Sequence, residues 1–388
     1  MVPIRYNIRS LAVRKATTFA TALGIGLVVF VLAASLMLSA GIKKTLGASG
    51  HDDIAIVTRK GADNELSSSI EEAQVGLITA QPGVKKKGDK PLRAAEIVVV
   101  ASLEKIGASG VSNVQVRGVE DDVLEFRPTV KIVAGRAPKP ASDEVMVGTR
   151  INERFQGVEL GKSFELKKNR PVTVVGVFED AGSSYESEVW VALDTLRASF
   201  GREGTRTSVR VQLESPAKFD SFRAAVEADK RIGLQVARET AYYEKQSEGT
   251  SMFISVLGTI ISVFFSIGAI IGAAITMYAA VANRAREIGI LRALGFSKFS
   301  ITLSFVSESI FLSMMGGVVG VIASMALGTV KFSMMNFASW SEIVFGFEVT
   351  GGVIITALIF SFIMGLLGGL LPALRASRTS PVIAMRGG

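Results

Sequence analysis

Cysteine is absent from the 388 residues and histidine occurs once. Without thiols the chain forms neither a disulfide nor a thiolate zinc site, and its redox compartment is left open. The lone His51 cannot build a Ser–His–Asp triad or a multi-histidine metal centre; beside Asp52 and Asp53 it reads as a solvated loop residue. No paired carboxylates and no nucleophile–base set rise above background, and Glu120, Asp121 and Asp122 read as a solvated turn. No catalytic residue and no metal ligand are assigned. A phosphate-binding loop is also lacking. GVELGKS, residues 157–163, ends like one, but Gly157 and Gly161 enclose three residues where four are needed, and Gln156 occupies the place of the first glycine. The strand-like FELKK follows it, not an apolar helix. A β-turn is expected there, in a chain without an ATPase of its own.

Acid is scarce in particular places. Residues 43–250 hold 31 Lys+Arg and 31 Asp+Glu by count, so the formal net charge of +8 comes from the flanks. Basic patches confined to short segments beside apolar runs indicate membrane orientation, not nucleic-acid binding. Four uncharged or nearly uncharged runs are present: 27 residues between Lys15 and Lys43, 35 between Glu248 and Arg284, 32 between Lys298 and Lys331 broken by Glu308, and 26 between Glu348 and Arg375. A bilayer core needs about 20 helical residues, so four transmembrane helices are expected. The first is too long for a signal-peptide core and reads as a retained anchor.

The flanks give the orientation. Arg5, Arg9, Arg14 and Lys15 precede the first span; Arg284, Arg286, Arg292 and Lys298 follow the second; Arg375, Arg378 and Arg386 follow the fourth. All three lie on one side if there are four spans, which makes that side, and both termini, cytoplasmic. Between the third and fourth spans Lys331 faces Glu342 and Glu348 across a short outer loop. Cysteines placed at Ser183 and Ser297 would then label from opposite sides. The expected fold class is an α-helical membrane protein with four spans and a large α/β extracytoplasmic domain between the first and second. Its divisions are residues 1–50 (basic segment and first span), 51–249 (extracytoplasmic domain) and 250–388 (a stalk, three further spans and the tail).

Within 51–249, DIAIVTR, AEIVVVAS, NVQVRGV, RPVTVVGVF, EVWVAL and SVRVQL read as strands, and SSIEEAQVGLITA and AKFDSFRAAVEAD as helices. SVRVQL, the second helix and IGLQVA form a strand–helix–strand unit. Small residues mark the spans: Gly316, Gly320, Ser324 and Gly328 recur every four residues in the third, with Gly268 and Gly272 in the second and Gly365 and Gly369 in the fourth. Such stripes let helix backbones approach closely in lipid, either within one bundle or between two chains. Glu308, some 15 Å into the third span on the helical rise, should face protein or a wet crevice, because a central acid costs about 3 kcal/mol in a bilayer. Three roles are open for it: a conformational latch in the bundle, a contact near the connecting segment, or a structural hydrogen bond to Ser304, Ser307 or a neighbouring helix.

The segment NRAREIGILRALGFSKFS, 283–300, is basic, short and punctuated by glycine. Read as a helix, it places Ile288, Leu291, Leu294 and Gly295 on one side, Ile290 at the edge, and Arg284, Arg286 and Arg292 around the rest. Glu287 can pair with Arg284 for at most about 0.5 kcal/mol, and Gly295 suits a helix stop. The physics leaves three readings: a helix on anionic headgroups, a topological stop, or a knob for a cytosolic partner.

REIGILRALGFSKFSI resembles the signature of MacB/FtsX-type ABC permeases, the mechanotransmission branch of ABC transporters. NIRSLAVRKATTFATALGIGLVV is similar to that family's N-terminal helix and first span, VRGV, AGRAPKPASDEVMVGTRI, GKSFEL, VVGVFED and EVWVAL to its outer-domain turns, and LPALRASRTSPVIAMR to its tail. The resemblance implies that 284–296 is a coupling helix whose Arg284, Arg286, Glu287, Ile290, Leu291, Arg292, Leu294 and Gly295 meet a separate cytoplasmic ABC ATPase. ATP and Mg would be bound by that partner, leaving no cofactor in this chain. It further implies a homodimer, or a pairing with a related permease, in a Gram-negative inner membrane. Its role would be export from the periplasm or lipoprotein release, with a periplasmic adaptor and an outer-membrane channel as possible partners. A non-transporting regulator of a cell-wall hydrolase or a peptide response is the alternative.

Overall fold

The computed structural model describes residues 15–107, 110–229, 231 and 233–378. Arg5, Arg9, Arg14 and Arg386 of the cationic flanks lie outside the described residues. Each long apolar run folds into a helix long and apolar enough to cross a membrane: Lys15–Gly47, Glu239–Asn283, Lys298–Met325 and Gly351–Ser377. The second is one unbroken helix of 45 residues, about 68 Å on the α-helical rise, so it exceeds a bilayer.

Two compact units divide the chain. A helical unit takes residues 1–40, 252–330 and 346–388, and an α/β unit takes 41–251 together with 331–345. Here the linear division drawn from hydropathy needs correction. The link between the third and fourth spans is a β-hairpin, Lys331–Asn336 against Ser341–Gly346, and its residues 331–345 join the α/β unit. Glu342 carries the attachment. Its carboxylate takes Lys105 Nζ at 2.6 Å, Arg154 Nη2 at 3.1 Å and the Ser112 hydroxyl. Asn64 and Asn113 donate to the Ala338 and Trp340 carbonyls. Ion-pair partners so remote in sequence leave no local signature.

The α/β unit is built on a mixed ten-stranded sheet. Its order runs Leu234–Arg238, Ile54–Arg59, Ser208–Gln212, Arg93–Glu104, Val111–Val119, Glu188–Ala192, Glu144–Gly148, Arg170–Glu179 and Lys131–Gly135, with Ser163–Lys167 paired beside Arg170–Glu179. All six expected strands form, and Phe219–Ala228 buries Phe219, Phe222 and Val226 as its spacing requires. Its two flanking strands are not neighbours, because Ile54–Arg59 lies between them. Strand Arg93–Glu104 serves two partners: Arg93 to Glu96 pair with the Ser208–Gln212 strand, and Ile97 to Glu104 with Val111–Val119. One apolar core gathers Val57, Ile78, Val209, Phe222 and Val226; another gathers Val99, Val116, Phe155, Val174 and Val191. In the former phosphate-loop decoy, Gly157 and Gly161 have φ of +76° and +83° and turn the chain into Ser163–Lys167.

In the helical unit, glycines do bring backbones together, though not all those expected. A Cβ added at Gly316 would lie 2.4 Å from the Ala22 carbonyl oxygen, and one at Gly320 would lie 2.3 Å from that of Gly26, so the first and third long helices touch there. Ser324 is buried on the same face. Gly365 and Gly369 meet Ser313 and Ser309, where Ser309 Oγ donates to the Gly365 carbonyl at 2.8 Å and Ser361 Oγ to that of Ser313 at 2.7 Å. Gly328 departs from the stripe: it lies in the 3-10 turn Ala326–Thr329, exposed, because the α-helical period ends at Met325. Gly268 and Gly272 are likewise open, with nothing within 4 Å of an added Cβ.

Candidate functional site: a short helix and its ion pair

The segment 283–300 begins with a break. The helix Glu239–Asn283 ends, Arg284 takes φ −111° and ψ 14°, and a separate helix runs Ala285–Ala293. Its end is a Schellman motif: Gly295 at φ +92° donates to the Arg292 carbonyl (3.2 Å) and Phe296 to that of Leu291 (3.1 Å). Ser297 then caps the next helix, accepting from Ser300 N at 3.2 Å. The glycine stop read from sequence is therefore present, and Arg292 Nη1 adds a hydrogen bond to the Phe296 carbonyl at 3.2 Å.

Exposure around this helix differs from the single apolar ridge expected. Ile288 and Gly289 are buried, Ile288 in a cluster with Met277, Val281, Ile301, Phe305, Val306, Ala373 and Ala376. Leu291 and Arg292 are half-buried. Ile290 and Leu294 point away, 46% and 71% exposed, beside exposed Arg286, Glu287 and Gly295. At 100° per residue, 286, 290 and 294 fall within one stripe opposite 284 and 288. The apolar residues thus serve two surfaces, one holding the helix and one presented outward.

Arg284 belongs to the inner surface, which removes it from the outward-facing set proposed from sequence. Its Nη1 donates to Glu308 Oε2 at 2.9 Å and its Nη2 to Glu308 Oε1 at 3.1 Å, with both side chains at most 8% exposed. This bidentate pair gives Glu308 a charged partner at the start of the connecting helix. The acid on the third long helix is neutralised by the arginine that begins the connecting helix, and burial of both groups favours the pairing.

A second polar assembly, in the α/β unit, went unread in the sequence. Arg117, Arg127 and Arg210 are buried with Glu65, Glu96, Glu188 and Glu239. Arg117 donates Nε to Glu188 Oε2 at 2.7 Å and Nη1 to Glu96 Oε2 at 2.8 Å; Arg210 bonds Glu65 at 2.8 Å and Glu239 at 2.8 Å; Arg127 bonds Glu239 at 2.9 Å. Glu239 is the first residue of the 45-residue helix, so the cluster holds the start of that helix. His51 is half-buried in its loop, and its backbone N–H donates to Glu239 Oε2 at 3.3 Å. Burial alone would raise the Glu65 carboxyl, but the charges of Arg117 and Arg210 outweigh it and hold Glu65 well below the carboxylate range. Burial would likewise raise Glu239, and Arg127 and Arg210 pull it down. For Glu188 burial wins and its carboxyl is raised, which suits an assembly of four acids and three guanidinium groups. The signal missed was the pattern of SVRVQL and NVQVRGV. Arg210 and Arg117 alternate there with valines, a pattern usual for a strand with one solvent face, whereas both arginines are buried.

Four bilayer-length helices, a basic connecting helix and an α/β domain inserted after the first helix define a membrane permease with an extracytoplasmic domain. Residues 16–229 match the MacB-like periplasmic core domain and residues 259–381 the FtsX-like permease C-terminal region. The chain belongs to the MacB/FtsX-type family of ABC transporter permeases. It is 25% identical to the uncharacterized ABC transporter permease YknZ of Bacillus subtilis and 28% to YvrN of the same organism, over 99% of this chain and 98% of each relative. It is 30% identical to the macrolide export ATP-binding/permease protein MacB of Burkholderia lata, over 57% of this chain and 32% of that protein. Among solved structures, the extracellular domain of YknZ aligns with TM-score 0.35 and 19% identity over 47% of this chain and 98% of the other; the periplasmic region of MacB from Actinobacillus actinomycetemcomitans gives 0.38 and 13% over 52% and 94%.

Proposed function

We propose that this permease receives ATP-driven motion from a separate ABC ATPase at the Ala285–Ala293 helix and passes it to the α/β domain, driving export from the outer side of the membrane or lipoprotein release. The observation that carries this reading is the outward stripe of Arg286, Glu287, Ile290 and Leu294, on a helix whose other face is held by Ile288 and Arg284. A helix that served only as a turn would need no second apolar face. Cations flanking apolar side chains suit a groove on an acidic-edged protein surface. The continuous helix Glu239–Asn283 supports transmission, since it starts in the buried ion cluster and ends one residue before Arg284. The name of the macrolide-exporting relative supports export. A homodimer with two ATPase copies, residence in the inner membrane, and recruitment of an adaptor and outer-membrane channel complete the proposal.

The test is co-purification from the native membrane. An ABC ATPase should accompany the wild-type chain, and Ile290→Asp or Leu294→Asp should remove it while membrane insertion persists. Retention of the ATPase by both variants refutes docking at this helix.

A further inference from the structure

At Arg284 the backbone leaves helical geometry for a single residue, between Asn283 and Ala285. The direction of the connecting helix is set at that vertex. One non-helical residue at an element boundary is enough to act as a hinge, unless side chains on either side over-determine it.

Two contacts do so here. Ile288, one turn into the connecting helix, is held by apolar neighbours from the other long helices, among them Ile301, Phe305, Ala373 and Ala376. This contact resists lifting but, being non-directional, does not resist rotation well. The other contact is directional. Arg284 and Glu308 meet fork to fork at 2.9 and 3.1 Å, which fixes both separation and the plane of approach. The guanidinium carbon lies 5.9 Å from the ring centre of Phe305, a residue one turn before Glu308 on the same helix. The vertex residue itself therefore grips the third long helix, and through it the bundle.

We propose that the Arg284–Glu308 pair is a positioning pin. It locks the angle of the connecting helix at its vertex, so a push on the Arg286–Ile290–Leu294 stripe displaces the third long helix instead of swivelling the connecting helix. This inference rests on the docking reading above, and it makes Arg284 a positioning residue, not a docking contact. Loss of the pin leaves the outward stripe chemically intact, so it separates binding of the partner from response to it.

Because the chain has no cysteine, Ala293→Cys gives a single attachment point for a nitroxide on the connecting helix in full-length protein reconstituted in lipid nanodiscs. In this background, Glu308→Gln and the double variant Arg284→Met/Glu308→Leu are compared with the parent. The double variant leaves no unpaired buried charge, so it keeps the thermal midpoint of the parent. Both are expected to narrow the nitroxide spectrum, reporting a mobile helix. A spectrum as immobile in the double variant as in the parent overturns the pin. In a second arm, the ABC ATPase that co-purifies with the wild-type chain should still accompany the double variant, with hydrolysis in the complex lowered roughly tenfold. Unchanged hydrolysis overturns the pin as well. Absence of any ATPase from the wild-type preparation refutes the docking reading instead, and the nitroxide measurement then decides the pin alone.

Discussion

Glu65 and Glu188 share Arg117, yet burial and charge move their carboxyls in opposite directions. The consequence is a pH dependence whose sign can be worked out. Glu65 and Glu239 ionise more readily folded than at the ordinary value of 4.5, so their contribution to stability is complete above that pH and is lost as the pH falls below it. Glu188 has the opposite sign: its contribution is present below 4.5 and is lost as the pH rises through its raised value. Two groups against one leave the α/β unit weaker in acid. Trp190, buried and donating Nε1 to Glu188 Oε2 at 3.0 Å, reports on this place. Thermal unfolding followed by its fluorescence should show a midpoint that drops as the pH falls below about 4.5, and Glu65→Gln should lower the neutral-pH midpoint while flattening that slope. A slope unaltered by the substitution would remove Glu65 from the account. Breaking such a buried network by deleting one guanidinium should cost about 3–5 kcal/mol, because it strands acids in the interior.

Among the elements, the long helices divide their small residues between contact and open surface. Gly316 and Gly320 lie where an added Cβ would strike the backbone of the first long helix, whereas Gly328, at the same sequence spacing, meets only the Phe347 carbonyl at 3.9 Å. Gly320→Leu should therefore destabilise the helical unit by about 1–3 kcal/mol through overpacking, and Gly328→Leu should stay within about 0.5 kcal/mol. Thermal loss of monodisperse protein in detergent measures both; equal losses would contradict the packing. The connecting helix shows how much of an element is legible in a sequence. Its existence and its glycine stop are local properties of the sequence, whereas the single apolar ridge expected of it is split between two surfaces. Which of its two apolar groups faces inward depended on Arg284 finding Glu308, 24 residues away, and no spacing rule contains that.

For the whole molecule, the opposite-side orientation awaits its own measurement. Ser183, which the sequence offered as a labelling position, is buried and donates to Asp180, so it is a poor probe. Lys168 is exposed in the turn after Ser163–Lys167, and Ser297 is exposed before the third long helix. In the cysteine-free chain, Lys168→Cys should react with an impermeant maleimide in intact cells and Ser297→Cys only after permeabilisation. Labelling of both from outside would overturn the orientation. The number and limits of the spans, most strands of the α/β unit and the connecting helix follow from the sequence alone, since hydropathy, period and turn residues act over a few positions. The tertiary structure alone decided that 331–345 joins the α/β unit, that Arg117 and Arg210 are interior, and that Arg284 faces Glu308. The reason is physical: a charge is tolerated in the interior only beside its counter-charge, and for Arg117 those partners lie 21, 52 and 71 residues away along the chain.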